Sequence, residues 1–282
     1  MGSLLWKCWS RGRYSLLQSQ HLNIFTPMKK PLFHSKRLLY VLVSLYFTFS
    51  ACRQTWHLSH MQPQRYPIEE NTSADSAILA IIAPYKAQLT AAMNVAIGQV
   101  DTALYKQRPE GTLNNFVADL LYDRSMAYYP DSLDFAMANY GGLRLPSIPK
   151  GPITIGKVYE LMPFDNQIVI LEMDGKLLQR FLDHVASLGG WPVSSQLRFS
   201  INDNKAVNVT IHGKPIEANQ TYTLAIPDYI ANGGDRCDFL KNVKRRDTGV
   251  LIRDAIIEYI RLQTEQGKSL SATLDERVKS VQ

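Results

Sequence analysis

Apolar residues along this chain fall into short blocks separated by polar turns, and the period of each block assigns it to a helix or a strand. Leu89, Met93, Ala96, Ile97 and Val100 recur at spacings of three and four, which predicts one face of a helix. That stretch begins near Ser76 and is interrupted at Pro84, where a fresh helix starts, proline being tolerated in a first turn. Residues 113–126 predict a second helix, with Phe116, Val117, Leu120 and Leu121 on its apolar side. Residues 175–188 give a third, on Leu177, Leu178, Phe181, Leu182 and Val185; residues 249–262 give a fourth, on Leu251, Ile252, Ala255, Ile256 and Tyr259. Strand-like runs occupy 133–138, 168–173, 197–201, 207–211 and 222–226, and Asp174-Gly175 and His212-Gly213 supply turn chemistry between elements. Helices and strands in irregular alternation, without an internal repeat, predict a mixed α/β (α+β) domain.

Ahead of these blocks the pattern changes. Lys29, Lys30, Lys36 and Arg37 precede a 12-residue apolar run at 38–49, which ends in Ser50, Ala51 and Cys52. A cationic stretch, a short apolar core and small residues describe an export signal. A membrane span needs about 20 apolar residues. Cys52 after Phe-Ser-Ala resembles the bacterial lipoprotein cleavage box, in which the thiol is acylated and becomes the first mature residue. The expected location is therefore the bacterial cell envelope, lipid-anchored and exported through Cys52. Met28 reads as the natural start, so 1–27 are attributed to start-codon choice and 28–51 to the signal peptide. Residues 52–75 are polar, aperiodic and proline-containing, a tether in which His57 and His60 have no neighbouring metal-ligand partners; 76–282 form the domain.

Charge and cysteine follow the same division. The formal charge is +6, but residues 1–51 hold seven cations and no acid, which leaves 24 basic against 25 acidic residues elsewhere. That balance argues against a nucleic-acid surface. Of three cysteines, Cys8 lies in the leader and Cys52 is assigned to lipid, so Cys237 has no disulfide partner. Metal-assisted hydrolysis needs several His and Asp ligands on adjacent loops. Four of the six histidines (His21, His34, His57 and His60) lie in the leader or tether, and His184 and His212 fall on a helix and a turn. No Asp-x-His, Gly-Asn-His-Asp/Glu, G-x-S-x-G, Walker or G-x-G-x-x-G arrangement occurs. No catalytic residue and no metal ligand is assigned.

Four segments carry more specific information: Asn139-Tyr-Gly-Gly-Leu-Arg144; Gly151 to Asn166 (GPITIGKVYELMPFDN); Pro227 to Asp235 (PDYIANGGD); and Glu110 to Asp119 (EGTLNNFVAD). In order and spacing they resemble the C-terminal, substrate-binding domain of 5′-nucleotidases, over about residues 78–282. The resemblance implies that domain's fold, mixed sheets layered with helices. It also implies roles: Phe164 and Tyr229 match two aromatics that sandwich a nucleobase, and each base offers a π-face for stacking. Asp235 matches a carboxylate that accepts from ribose hydroxyls. Arg144 matches an arginine directed at substrate, where a guanidinium fork suits phosphate oxygens. Asn139 and Asn166 match pocket positions, and Gly141, Gly142, Gly233 and Gly234 match places where backbone approaches ligand closely. Arg108 stands one residue out of register with a family arginine. Tyr140 replaces a usual glycine, Arg236 and Cys237 replace a Gly-aromatic pair, and Asn114 replaces a glycine.

The implied function is the nucleotide- or nucleoside-binding half of a 5′-nucleotidase-type phosphohydrolase. A separate metallophosphoesterase chain would be its partner and would hold the divalent metals. The alternative is an envelope scaffold lipoprotein that keeps the fold without the ligand.

Overall fold

The computed structural model describes residues 39–41, 43–46, 74–129 and 131–281. Two units are present, Met1–Thr72 and Ser73–Gln282. In the first, residues 39–41 and 43–46 are helical and exposed; Cys52 and the tether up to residue 73 lie outside the described residues.

The second unit opens with helix α1 (Ser76–Met93), whose first N–H groups, on Ala77 and Ile78, donate to the Asp75 carboxylate at 2.8 and 3.4 Å. It is followed by β1 (Ala96–Val100), β2 (Leu104–Tyr105), α2 (Thr112–Tyr128), β3 (Phe135–Ala136), β4 (Ser147–Ile148), β5 (Gly151–Thr154) and α3 (Ile155–Leu161). The chain continues through β6 (Gln167–Asp174), α4 (Gly175–Ser187), β7 (Leu197–Asn202), β8 (Lys205–Ile211), β9 (Lys214–Pro215) and β10 (Thr221–Pro227). It ends with α5 (Asp228–Ala231), β11 (Lys244–Leu251), α6 (Ile252–Glu265) and β12 (Val278–Ser280).

Several expectations are corrected. Helix α1 runs unbroken through Pro84, which removes only the bond its missing N–H would have made to the preceding turn. No residue of α1 is buried, although its composition and length would suffice to cross a membrane. The helical spacing that extends to Val100 in the sequence belongs instead to strand β1, paired antiparallel with β5. A register shift between Ala96 and Gly98 breaks the two-residue period, so Ile97 and Val100, three apart, both point inward. Residues 249–251 extend β11, with Leu251 opposite Gln167, and α6 starts at Ile252. Asp174 is a helix cap that accepts from the Leu177 N–H at 2.8 Å, and Gly175 opens α4. Of the run 133–138, only Phe135 and Ala136 form a strand.

The central sheet has the order β11-β6-β10-β3, with β3 parallel to β10 and the other pairs antiparallel. Strand β6 is apolar without alternation because both of its faces are covered. Ile168 and Ile170 join a core with α2, α6 and β1; Val169, Leu171 and Met173 join a second core with α4 and the sheet β12-β7-β8-β9. On α4, Leu178, Phe181, Leu182 and Val185 are fully buried, each contributing roughly 1.5–3 kcal/mol.

One buried cation connects these layers. Arg277, just ahead of β12, donates through Nη1 to Asp119 Oδ1 at 2.8 Å and to the Val193 carbonyl at 3.0 Å, and through Nε to Asp275 Oδ1 at 2.7 Å. Its side chain is 5% exposed. Burial pushes the Asp275 carboxyl upward, but hydrogen bonds from Arg277 and the charges of Arg277 and Arg198 outweigh it and hold the group below its ordinary value. A carboxyl depressed in the folded state contributes stability that is present above its ordinary value and is lost as pH falls. Arg277→Met should therefore cost about 1–3 kcal/mol in urea denaturation at neutral pH, because it removes the cation beside Asp119 and Asp275 and leaves the Val193 carbonyl without a donor. The cost should shrink as the pH is lowered below about 4. A pH-independent cost would assign Arg277 to packing alone.

Candidate functional site

The register of the central sheet decides where the loops meet. Ala225 pairs with Ala136 in parallel, and Pro227 pairs with Ile168 in antiparallel. The C-terminal ends of β3 and β10 and the N-terminal end of β6 therefore share one edge. Asn139 to Arg144 leave β3 there, Phe164 to Asn166 enter β6 there, and Asp228 to Asp235 leave β10 there. The Asp228 carboxylate fastens two of these ends, accepting from the N–H groups of Gln167 at 3.1 Å and Tyr229 at 2.7 Å. Between the loops lies a cleft of about 260 Å³ lined by Asn139, Gly141, Gly142, Arg144, Phe164, Asn166, Tyr229 and Asp235.

Both aromatics of the cleft are unusually open: Phe164 is 42% exposed and Tyr229 is 44% exposed. Large apolar side chains normally seek the interior, so two of them lining one cleft form a surface prepared for a flat apolar ligand. Neither is loose. Arg253 of α6, largely buried, donates to the Asp165 carboxylate at 2.7 Å and to the Phe164 carbonyl at 3.5 Å, so the loop bearing Phe164 is tied to a core helix. The Tyr229 ring rests on Gly234, where an added Cβ would lie 2.5 Å from two ring carbons. Gly233 adopts φ +92°, which only glycine accepts readily.

Asp235 sits at φ +50°, a left-handed conformation uncommon for a residue with a side chain. All four of its polar atoms are engaged. Its N–H donates to the Tyr229 hydroxyl at 3.3 Å, and that hydroxyl donates to Oδ1 at 3.1 Å. The Asn139 amide donates to Oδ2 at 2.8 Å, and His184 Nε2 lies 2.8 Å from the main-chain carbonyl, to which it donates. The carboxylate is thus aimed before any ligand arrives, with lone pairs left for hydroxyl donors. Asn139 is itself buried against Gly142, where a Cβ would come within 2.7 Å of Oδ1. That Oδ1 has no hydrogen-bond partner among the described residues. Arg144 places its guanidinium 5.8 Å from the Phe164 ring centre, and its main-chain N–H donates to the Leu161 carbonyl at 2.9 Å.

Arg108, Gly233 and Gly234 do not line the cleft, although Gly234 makes room for the Tyr229 ring that does. The Arg108 guanidinium lies 4.1 Å from the Tyr140 ring centre, and Lys106 Nζ lies 4.0 Å from the same ring. Tyr140 opens a short 3₁₀ turn, Tyr140–Gly142, and packs against the second core. Cys237 is fully buried; burial first, then the charges of Asp235 and Asp238, push its thiol up to about 12, so it stays protonated and inert as a nucleophile. Among the described residues no three His, Cys, Asp or Glu side chains come together as metal ligands.

Three supporting residues were not singled out from sequence: His184, Arg253 and Lys106. His184 looks like any histidine on an amphipathic helix until the fold brings α4 beneath the Asp235 loop. Arg253 and Lys106 are ordinary cations until their contacts are known.

Residues 90–242 match a family model described as 5′-nucleotidase, C-terminal domain. Among curated proteins, the chain is 30% identical over 181 residues to a 5′-nucleotidase of Vibrio vulnificus, covering 61% of this chain and 32% of that protein. It is 27% identical over 193 residues to protein UshA of Escherichia coli, covering 65% and 34%. Among solved structures, the 5′-nucleotidase precursor of Thermus thermophilus superposes with a TM-score of 0.63 at 29% identity, covering 73% of this chain and 42% of that one. The chain spans about a third of the length of these curated relatives.

Removing the donor beneath Asp235 should loosen the loop. His184→Ala should lower stability by roughly 1–3 kcal/mol, because it leaves a carbonyl unpaired. His184→Gln, which keeps an N–H donor, should recover most of that loss in the same urea titration. Equal losses from both variants would mean that His184 acts only through its edge-on ring contacts with Trp191 and Phe239, at centroid distances of 6.3 and 6.0 Å.

Proposed function

Because the chain belongs to the family of 5′-nucleotidase C-terminal domains, we propose that it supplies nucleotide or nucleoside recognition while a separate metallophosphoesterase chain supplies the divalent metals and the hydrolytic step. The observation that carries this reading is the convergence, in one cleft, of two exposed aromatics, Phe164 and Tyr229, with a carboxylate already fixed in place, Asp235.

The chemistry is additive along the ligand. The base stacks on Phe164 and Tyr229, an interaction indifferent to base identity and worth roughly 1–3 kcal/mol per base. The ribose hydroxyls donate to Asp235, whose orientation costs nothing further at the moment of binding. The phosphate end lies toward Arg144, whose fork of N–H groups suits oxyanions. Asn139 Oδ1 and Asn166 add polar definition to the wall. Divalent metals belong, in this reading, to the partner chain. Residues 38–52 support an exported, lipid-anchored location through Cys52.

Isothermal titration of the full chain with adenosine, AMP and UMP checks the reading. Micromolar-range binding is expected, with no phosphate release from AMP in the presence of divalent metal. Phe164→Ala or Tyr229→Ala should each weaken binding about ten- to a hundredfold. Release of phosphate from AMP by the purified chain alone would remove the need for a partner. No binding of any of the three ligands would favour the scaffold alternative.

A further inference from the structure

Arg253, the second residue of α6, directs its donors at one short segment. Its Nη2 donates to Asp165 Oδ1 at 2.7 Å, and its Nη1 donates to the carbonyls of Pro163 and Phe164 at 3.4 and 3.5 Å. The Ile252 N–H beside it donates to the Asn166 carbonyl at 2.9 Å. Each residue from 163 to 166 thus gives one acceptor to the two residues that open α6. The Tyr159 ring of α3 lies 4.3 Å from the guanidinium centre, a cation–π contact that restrains it further. Arg253 Nε is buried and has no hydrogen-bond partner among the described residues.

Stability does not account for this arginine. The Asp165 carboxylate is 80% exposed, and an ion pair open to water on one side adds little to folding. The unpaired Nε is a desolvated donor, which destabilises. A methionine would bury a similar stem without that penalty, since apolar replacements of buried ion pairs are often neutral or stabilising. What the fork provides is geometry: a planar guanidinium meets a carboxylate and two carbonyls at fixed angles, and so fixes the backbone that carries Phe164. Asp235 depends on other elements, being held by His184 from α4 and by Asn139 and Tyr229 from the segments that follow β3 and β10. The stacking wall and the carboxylate of the cleft therefore rest on different supports.

We infer that Arg253 is a positioning residue for base stacking: through the loop backbone it sets the place of the Phe164 ring in the cleft wall. Arg253 itself does not line the cleft. The inference rests on the nucleotide reading of that cleft for the identity of the ligand. A flat ligand gains stacking energy only where the ring faces meet at contact distance, so a loop free to shift gives up part of it. Loss of Arg253 thus weakens every ligand that carries a base by one factor, whatever the ligand's charge. It does so only while the Phe164 ring is there to be misplaced, and the hydrogen bonds that Asp235 offers a sugar stay as they are.

Calorimetric titration of the full chain with adenosine and AMP tests this. Arg253→Met should weaken both ligands by the same factor, about tenfold, a part of what the loss of one stacking ring costs. In a Phe164→Ala background, Arg253→Met should have no further effect, because its action passes through that ring. Asp165→Ala, a change at an exposed side chain, should repeat the loss in smaller measure in the wild-type background alone, and it carries the test if Arg253→Met does not fold. The urea midpoint should move little in either variant. Unchanged adenosine affinity in both variants would overturn the inference. A loss confined to AMP would assign Arg253 to long-range attraction of phosphate, and an equal loss in both Phe164 backgrounds would assign it to general support of the fold. Each of these overturns the inference while leaving the nucleotide cleft standing. No binding of either ligand by the wild-type chain would overturn the nucleotide reading, and this inference with it.

Discussion

The Arg277 guanidinium is bonded at once to Asp119 on α2, to Asp275 and to the carbonyl of Val193, so the last strand, the long core helix and the segment before β7 are held in one arrangement. A guanidinium with 5% of its side chain exposed is stable only with its partners in place, since an unpaired buried charge is costly. The same knot reaches the binding edge. Glu110 accepts from the N–H of Asp275 at 3.0 Å and from the Asn115 amide, which fixes the segment that carries Lys106 and Arg108. Rim cations and C-terminal strand are therefore mechanically continuous through one cluster of charge.

That rigidity is what the cleft needs. An aspartate at positive φ costs of order 1–3 kcal/mol and persists only where its surroundings over-determine it. Asp235 meets that condition through Tyr229, Asn139 and His184, which come from three separate parts of the chain. The surrounding sheet provides the precision: two parallel strand ends and one antiparallel strand start deliver three loops to the same edge with fixed register. Loops placed on such a scaffold carry recognition without having to carry stability.

The sequence revealed those parts whose signal is local. The apolar run Ile168–Leu171 of β6, the stripe of α4, and the clustered Asn, Gly and aromatic residues at 139–144, 164–166 and 229–235 all stand out from their neighbours. What escaped was set by distant contacts. Pro84 leaves α1 intact because a helix absorbs one missing bond, which no local rule foretells. The spacing at Ile97 and Val100 imitates a helix because a register shift occurs at that point in β1. Leu251 belongs to a strand because Gln167 lies opposite it. His184 and Arg253 gain their roles only when α4 and α6 are laid beneath the loops they hold. A residue acting through another residue's backbone leaves no mark on the composition around it.

The four-point hold on Asp235 also shapes how this pocket can evolve. Positions 139, 184 and 229 touch it through different atoms, so a change at one alters the geometry presented to the others, and their effects combine with strong epistasis. Phe164 and the outer rim take no part in those contacts with Asp235 and are outside that particular coupling. The carboxylate and its three holders must drift as a unit, which makes the geometry around Asp235 the slowest-changing part of the cleft.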